Sequence, residues 1–281
     1  MASAETKNGV RYDPAVLDRG ERLFWRDIWR AVPAETARAK GIELREFGPV
    51  QAEVATALPG VGMMNLVLGA TEPGAVADGH LAEALAWASA RGVAHYVPVT
   101  PGQPETDAAE RWLGENGYEP GYAWMKFVRD AHPPRFRAPE VEVVEVGDGA
   151  SGPFGMIAAT GFGLPAWAGA FFADLPGSPG WRCYLARVDG EAQACAAMQI
   201  HDGLAEFGIA STLEPARGHG CQLALLHRRI ADAAAVGCHT LFVETGERVP
   251  DRPSASYRNI LRAGFEEAYL RPNWTQLGPV A

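Results

Sequence analysis

Apolar and polar positions follow one another along this chain in stretches that predict alternating helices and strands. Residues 14–40 carry Val16, Leu17, Leu23, Phe24, Ile28, Trp29 and Val32 at mixed helical spacing, which predicts one or two helices ahead of Gly41. A strand is expected at Ile42–Phe47, and the apolar run Met63–Gly69, ended by glycine, predicts a buried one. A loop rich in Gly, Pro and Asp (Ala70–Gly79) follows, then a helix over His80–Ala90 and a strand over Ala94–Val99. A helix over Asp107–Glu115 is closed by Asn116-Gly117, and Tyr122–Arg129 alternates as a strand does.

The later pattern is sharper. Val141–Val146 alternates strictly and begins a new sheet, and a helical stretch over Phe154–Phe172 breaks at Gly161–Pro165. Strands at Trp181–Val188 and Ala192–His201 flank Asp189-Gly190, a tight-hairpin signal, and a further strand, Leu204–Thr212, follows the Asp202-Gly203 turn. Cys221–Ala235 reads as the clearest helix. Leu223, Leu226, Ile230 and Ala234 form one apolar stripe, with Arg228, Arg229 and Asp232 expected to point elsewhere. A strand at Thr240–Thr245, a helix at Ser254–Ala263 and a terminal strand pair at Glu267–Leu277 complete the pattern.

The order strand, helix, strand, helix ending in Gly-aromatic, aromatic strand occurs twice. Asn116-Gly117-Tyr118 answers Ala263-Gly264-Phe265, a weak internal repeat of roughly 140 residues. Between the halves, Ala131–Pro139 holds three prolines and no regular period, as a linker does. The expected domains are 1–132 and 140–281, joined by a linker at 133–139. The class is α/β in the wide sense (α+β), each domain a mixed, mostly antiparallel sheet flanked by helices.

Composition narrows the function. With 281 residues, 47% hydrophobic and 21% charged, the chain reads as globular rather than disordered or fibrous. Its net charge of −9 divides into −3 before Pro139 and −6 from Pro139 on, so no basic tail is hidden by averaging and nucleic acid is not an expected partner. No run approaches a membrane span or a secretory leader, which points to a cytoplasmic protein with no membrane partner. Cys183, Cys195, Cys221 and Cys238 show no C-x-x-C spacing; they read as reduced, buried thiols, and no metal site is expected.

Ser211–Leu226 carries the most information. A strand ends, Pro215 blocks further pairing, and Arg217-Gly218-His219-Gly220 turns directly into the striped helix. Two glycines leave the amides of such a turn open, and the helix start adds unpaired N–H groups and a positive dipole end, which together suit a pyrophosphate. The loop is no Walker motif, having no Gly-Lys-Ser/Thr, and no dinucleotide fingerprint, having no third glycine.

On these residues the chain resembles the GNAT superfamily of N-acetyltransferases, whose Q/R-x-x-G-x-G/A loop holds the pyrophosphate of acetyl-CoA. The loop aligns in two registers, from Arg217 with Gln222 in the last glycine position, or from Pro215 with proline in the first position. The likeness runs over about residues 140–281 and includes Asn259–Phe265, similar to the family's Y-x-x-x-G-F region. The first half looks like a degenerate copy, because Gly69–Gly79 holds no Arg-Gly-x-Gly.

The resemblance implies one acetyl-CoA site per chain, formed by Ala210, Thr212, Leu213, Arg217, Gly218, His219, Gly220, Cys221, Gln222 and Asn259. Gly208 is the expected strand bulge. Glu206 is the candidate general base, against the alternative of a solvent-facing strand carboxylate. The family's usual tyrosine position is Ile260, so Tyr257 or a neighbour such as Ser256 is the candidate proton donor. Cys221 is read as packing rather than nucleophile. Trp167, Phe171 and His201 are candidate substrate contacts. The implied activity is acetyl transfer to an amine of a small molecule or peptide by direct attack, in a monomer or homodimer. Its alternatives are a catalytically inactive acyl-CoA sensor or scaffold and a transferase for a longer acyl-CoA.

Overall fold

The computed structural model describes residues 4–147, 151–250 and 254–276. In chain order these form β1 (Ala4–Glu5), β2 (Arg11–Tyr12), α1 (Pro14–Ala31), α2 (Ala34–Lys40), β3 (Ile42–Phe47), β4 (Val50–Ala55), β5 (Leu66–Leu68), α3 (His80–Ser89), β6 (Val97–Pro98), α4 (Thr106–Glu115) and β7 (Tyr118–Asp130). There follow β8 (Glu142–Val146), α5 (Ser151–Gly161), β9 (Trp181–Val188), β10 (Glu191–His201), β11 (Leu204–Thr212), α6 (Cys221–Ala235), β12 (Thr240–Gly246), α7 (Ala255–Arg262) and β13 (Glu266–Gln276). The class is mixed α+β. Contacts divide the described chain into two compact units, one of residues 4, 12–125 and 269–276, the other of residues 5–11 and 126–268. The division thus passes within β7 and β13 instead of at 133–139.

In the first unit, α1 starts at Asp13, whose carboxylate accepts from the Ala15 amide at 2.9 Å, with Pro14 in the first turn where its missing N–H costs nothing. β4 pairs antiparallel with β3 and β5, and a parallel bridge, Leu66↔Tyr96, leads toward β6. β6 pairs with the far end of β13, Trp274 opposite Val97. Val54, Val67, Leu81, Leu85 and Leu113 belong to the core beneath these strands. The run Met63–Gly69 is only partly strand, its first residues forming a 3-10 turn at Gly62–Met64. Asn65 explains the break: its side chain caps the Ala55 amide and the Leu58 and Val61 carbonyls instead of continuing a ladder. Similarly, the strand expected at Ala94–Val99 shrinks to Val97–Pro98.

The second unit carries β8, β9, β10 and β11 as an antiparallel sheet in that order, with β12 parallel to β11 and residues 126–130 of β7 beyond it. Both hairpins turn as their dipeptides require: Asp189-Gly190 and Asp202-Gly203 all have positive φ, the mirror-image turn that follows strand twist. Helix α6 buries Leu223, Leu226 and Ile230 as its stripe predicts. Arg229, expected to point away, is instead 1% exposed and donates to the Ala197 carbonyl of β10 at 2.9 Å. The anticipated terminal strand pair is one continuous strand, β13. Pro272 within it needs no partner for its nitrogen, and its carbonyl accepts from Val99 at 3.1 Å.

Candidate functional site

The second unit's sheet opens beside β11. Pairing with parallel β12 runs from Leu204↔Thr240 to Phe207↔Val243 and is registered no further, although both strands continue. On the other edge of β11 the register with β10 slips between Cys195↔Ser211 and Ala197↔Gly208, so β11 holds one extra residue there. That residue lies in the stretch Ile209–Ala210. Ile209 has φ +50, a left-handed conformation rare for a β-branched side chain, whereas Gly208 is not in that region. The bulge expected at Gly208 is therefore displaced by one residue. Just past it, Ala210 and Thr212 line a cleft of about 760 Å³.

The glycine loop forms the cleft's next wall. Gly218 (φ +87) and Gly220 (φ +85) both take the left-handed conformation, and Gly220 is the N-cap of α6 with no side-chain cap. The first amides of α6 thus have no intrahelical acceptor. Arg217, Gly218, Gly220, Cys221 and Gln222 line the cleft with Ala210 and Thr212. A Cβ on Gly220 would stand 2.9 Å from the Pro139 side chain, whereas one on Gly218 would meet nothing. Cys221 is buried, and burial pushes its thiol above the ordinary value, in keeping with packing.

Helix α7 closes the far side. Gln222 donates to Ser256 Oγ at 2.9 Å and accepts from Asn259 at 2.8 Å, tying the starts of α6 and α7 together, and Ser256 and Asn259 both line the cleft. Arg137 and Arg262 join Arg217 among the lining residues, three cations in a chain of net charge −9. Sequence reasoning missed Arg137, Ala138 and Pro139, because the prolines of that stretch read as linker. The signal that it is also a wall is steric: only glycine at 220 lets Pro139 approach so closely.

Other candidates lie elsewhere. Leu213 and His219 do not line the cleft, and their amides are spent on Gln193 and Ala216 carbonyls. Tyr257 donates its hydroxyl to Glu267 at 2.6 Å and packs edge-on to Phe127, and its pKa is pushed up to about 12, first by burial and then by Glu267. It does not line the cleft. Glu206 is buried on β11, opposite Gln199. Phe207 beneath the Arg229 guanidinium faces α6, so Glu206 takes the opposite face of the sheet. Phe171 is wholly buried against Phe172 and Trp167 is half-buried beside it; neither reaches the cleft. His201 is exposed and pairs with the neighbouring Asp202 at 3.0 Å.

The matching loop of the first unit is closed on itself. Gly79 caps α3 with φ +80, as Gly220 caps α6. Yet the amides of Glu72, Ala75, Asp78, Gly79 and Leu81 all bond within the loop, and Arg22 fills the approach by pairing with Glu72 and the Pro49 carbonyl. Among the described residues no group of three His, Cys, Asp or Glu is placed to hold a metal ion, and no helix is long and apolar enough to cross a membrane.

No protein-family model matches the chain, and no curated protein is similar to it in sequence. Solved structures do resemble it. A GCN5-related N-acetyltransferase from Sphaerobacter thermophilus superposes with TM-score 0.58 at 15% identity, covering 81% of this chain and 76% of that one. A GCN5-related N-acetyltransferase from Kribbella flavida gives 0.54 at 18% identity over 87% and 96%. A tandem GNAT protein from the clavulanic acid biosynthesis pathway gives 0.55 at 17% identity over 82% and 79%. With its parallel pair splayed at a bulge and followed by a glycine loop and helix, the chain has the fold of the GCN5-related N-acetyltransferases.

Proposed function

We propose that this chain is an acyltransferase that binds acetyl-CoA in the cleft of its second unit and passes the acetyl group to an amine of a small molecule or peptide. The observation that carries the reading is the splay of β11 from β12 at a bulged, left-handed Ile209, opening onto an uncapped helix start. The donor set fits the cofactor. Amides of Gly218, Gly220, Cys221 and Gln222 would hold the pyrophosphate, with Arg137, Arg217 and Arg262 balancing its charge, and the β11 edge at Ala210 and Thr212 would bond the pantetheine amides.

When bound, acetyl-CoA supplies an acetyl group activated as a thioester. Direct attack forms a C–N bond and breaks the C–S bond, so the amine must lose one proton and the leaving sulfur must gain one. Backbone N–H groups at the bulge are suited to polarising the carbonyl, because they are fixed before reaction. Ser256 takes the donor role in this reading: its oxygen accepts from Gln222, which leaves its own proton to give toward the cleft. Glu206 is kept as the base, acting from the opposite face of β11 through water. The first unit, its loop amides spent, has a supporting role and no cofactor. The two-copy reading, one copy degenerate and one working, is part of the same proposal, as is a cytoplasmic setting.

A second reading is favoured by Tyr257: with its hydroxyl given to Glu267 and Ile260 buried, the protein would bind acyl-CoA without turnover. Thiol release from acetyl-CoA across a panel of amines, beside calorimetric binding of CoA, separates the two. Turnover that Ser256→Ala lowers about tenfold or more supports the enzyme. Binding with no turnover for any amine supports the sensor, and neither binding nor turnover overturns both.

A further inference from the structure

A second cavity of about 430 Å³ lies at the C-terminal end of α7, lined by Arg129, Arg135, Phe136, Arg262, Gly264 and Glu266 among others. It shares only Arg262 with the cleft of the glycine loop. Its cations outnumber the acids available to them. Asp130 is paired with His132 at 2.8 Å and stands 3.7 Å from Arg129, while Glu266 accepts from the Thr6 hydroxyl and the Asn8 amide. Neither Arg135 nor Arg262 meets a carboxylate among the described residues; burial works against the Arg129 charge, Asp130 supports it, and repulsion from Arg135 opposes it in turn.

Arg129 is built rather than loose. Only 6% exposed, it donates from Nε to the Asp130 carbonyl at 2.9 Å, from Nη1 to Ala263 at 2.7 Å and from Nη2 to His132 at 2.8 Å. A guanidinium fork has five N–H groups, so one on each terminal nitrogen is left over from these three bonds, with Nη2 standing 3.7 Å from Asp130 Oδ1. Three carbonyls fix the plane of that fork before any ligand arrives. Phe136, edge-on to His227, adds an apolar wall.

From the convergence of this held fork with Arg135 and Arg262 on one cavity, we infer a binding site for a phosphate monoester, separate from the pyrophosphate cradle of the glycine loop. The dianion would sit against Arg129 and be closed over by the two exposed arginine side chains. Such a group can come from a free phosphorylated metabolite or from the terminal 3′-phosphate of CoA itself. The inference does not need the acyltransferase reading, since inorganic phosphate alone probes it.

Calorimetric titration of the full chain with inorganic phosphate at low ionic strength is the test. One saturable site is expected, weakened about fivefold by Arg135→Gln and by Arg262→Gln, and unaffected by Arg38→Gln, an exposed arginine in the last turn of α2. Arg129 is left intact because it also holds three carbonyls. No saturable binding, or binding unchanged in the Arg135→Gln/Arg262→Gln double variant, overturns the site. Comparing CoA with its 3′-dephospho form assigns the source. A preference for CoA that Arg135→Gln erases makes the phosphate the cofactor's own, whereas phosphate binding that persists at saturating CoA makes it a separate ligand.

Discussion

Gly218 and Gly220 share a backbone conformation and differ in what surrounds them, which makes them a matched pair. Alanine at either position must adopt positive φ, at roughly 1–2 kcal/mol. At 220 it must also displace Pro139, whose Cβ would be 2.9 Å away. Thermal melts should therefore show Gly220→Ala less stable than Gly218→Ala by about 1–3 kcal/mol; equal losses would mean that the 131–139 segment does not pack on the loop. Glu53 offers a pH test in the first unit. It is fully buried, accepts from Gln51 at 2.6 Å, and burial holds its carboxyl well above the ordinary 4.5, with nearby Glu21 pushing the same way. A raised carboxyl means that the folded state keeps a proton the unfolded chain gives up, so stability falls as pH rises from about the ordinary value toward the folded one. Glu53→Gln should accordingly melt higher than the parent at pH 7, with the advantage vanishing below about pH 4; a constant difference across that range would refute the assignment.

Between elements, the site depends on two close approaches that no hydropathy pattern reveals. The first is α5 on β11, where a Cβ on Gly161 would fall 1.4 Å from Ser211 Oγ. Gly161→Ala should cost about 1–3 kcal/mol, and Ser211→Gly in the same chain should return part of it, since it removes the colliding atoms. Melts of the two single variants and the double variant check this, and strict additivity would show that the helix moves aside instead. The second is the bond chain Asn259–Gln222–Ser256 joining α6 to α7. What the sequence made legible was local: β9, β11 and α6 have the expected bounds because each is periodic and ended by its own turn or glycine. β4 was not legible, since all six of its residues are buried and Gln51 and Glu53 interrupt any alternation. Arg229 likewise looked like a solvent residue, because its partner is a carbonyl 32 positions away. Of the site, the loop was readable from its glycines; the bulge residue and the arginine rim depend on strand register and chain path.

For the molecule as a whole, the consequence is that neither compact unit is a continuous piece of sequence. Residues 269–276 belong to the first unit, where Arg271, wholly buried, forks onto Glu21 with Nη2 to Oε1 at 2.7 Å and lies over Trp124. Residues 126–130 belong to the second, where Lys126 pairs with Glu244 at 2.5 Å and Arg129 holds the end of α7. A cut at the proline-rich segment, natural from sequence, therefore strips the first unit of a strand and of the cation that neutralises a buried carboxylate. Removing one partner of such a pair costs about 3–5 kcal/mol, a large share of a domain's 5–15 kcal/mol. A fragment of residues 1–132 is expected to show no cooperative thermal transition. In the full chain, Arg271→Met should lower protection of the α1 amides against hydrogen exchange while those of α6 keep theirs. A cooperative melt of the fragment, or equal loss of protection in α1 and α6, would mean that residues 269–276 are not what completes the first unit.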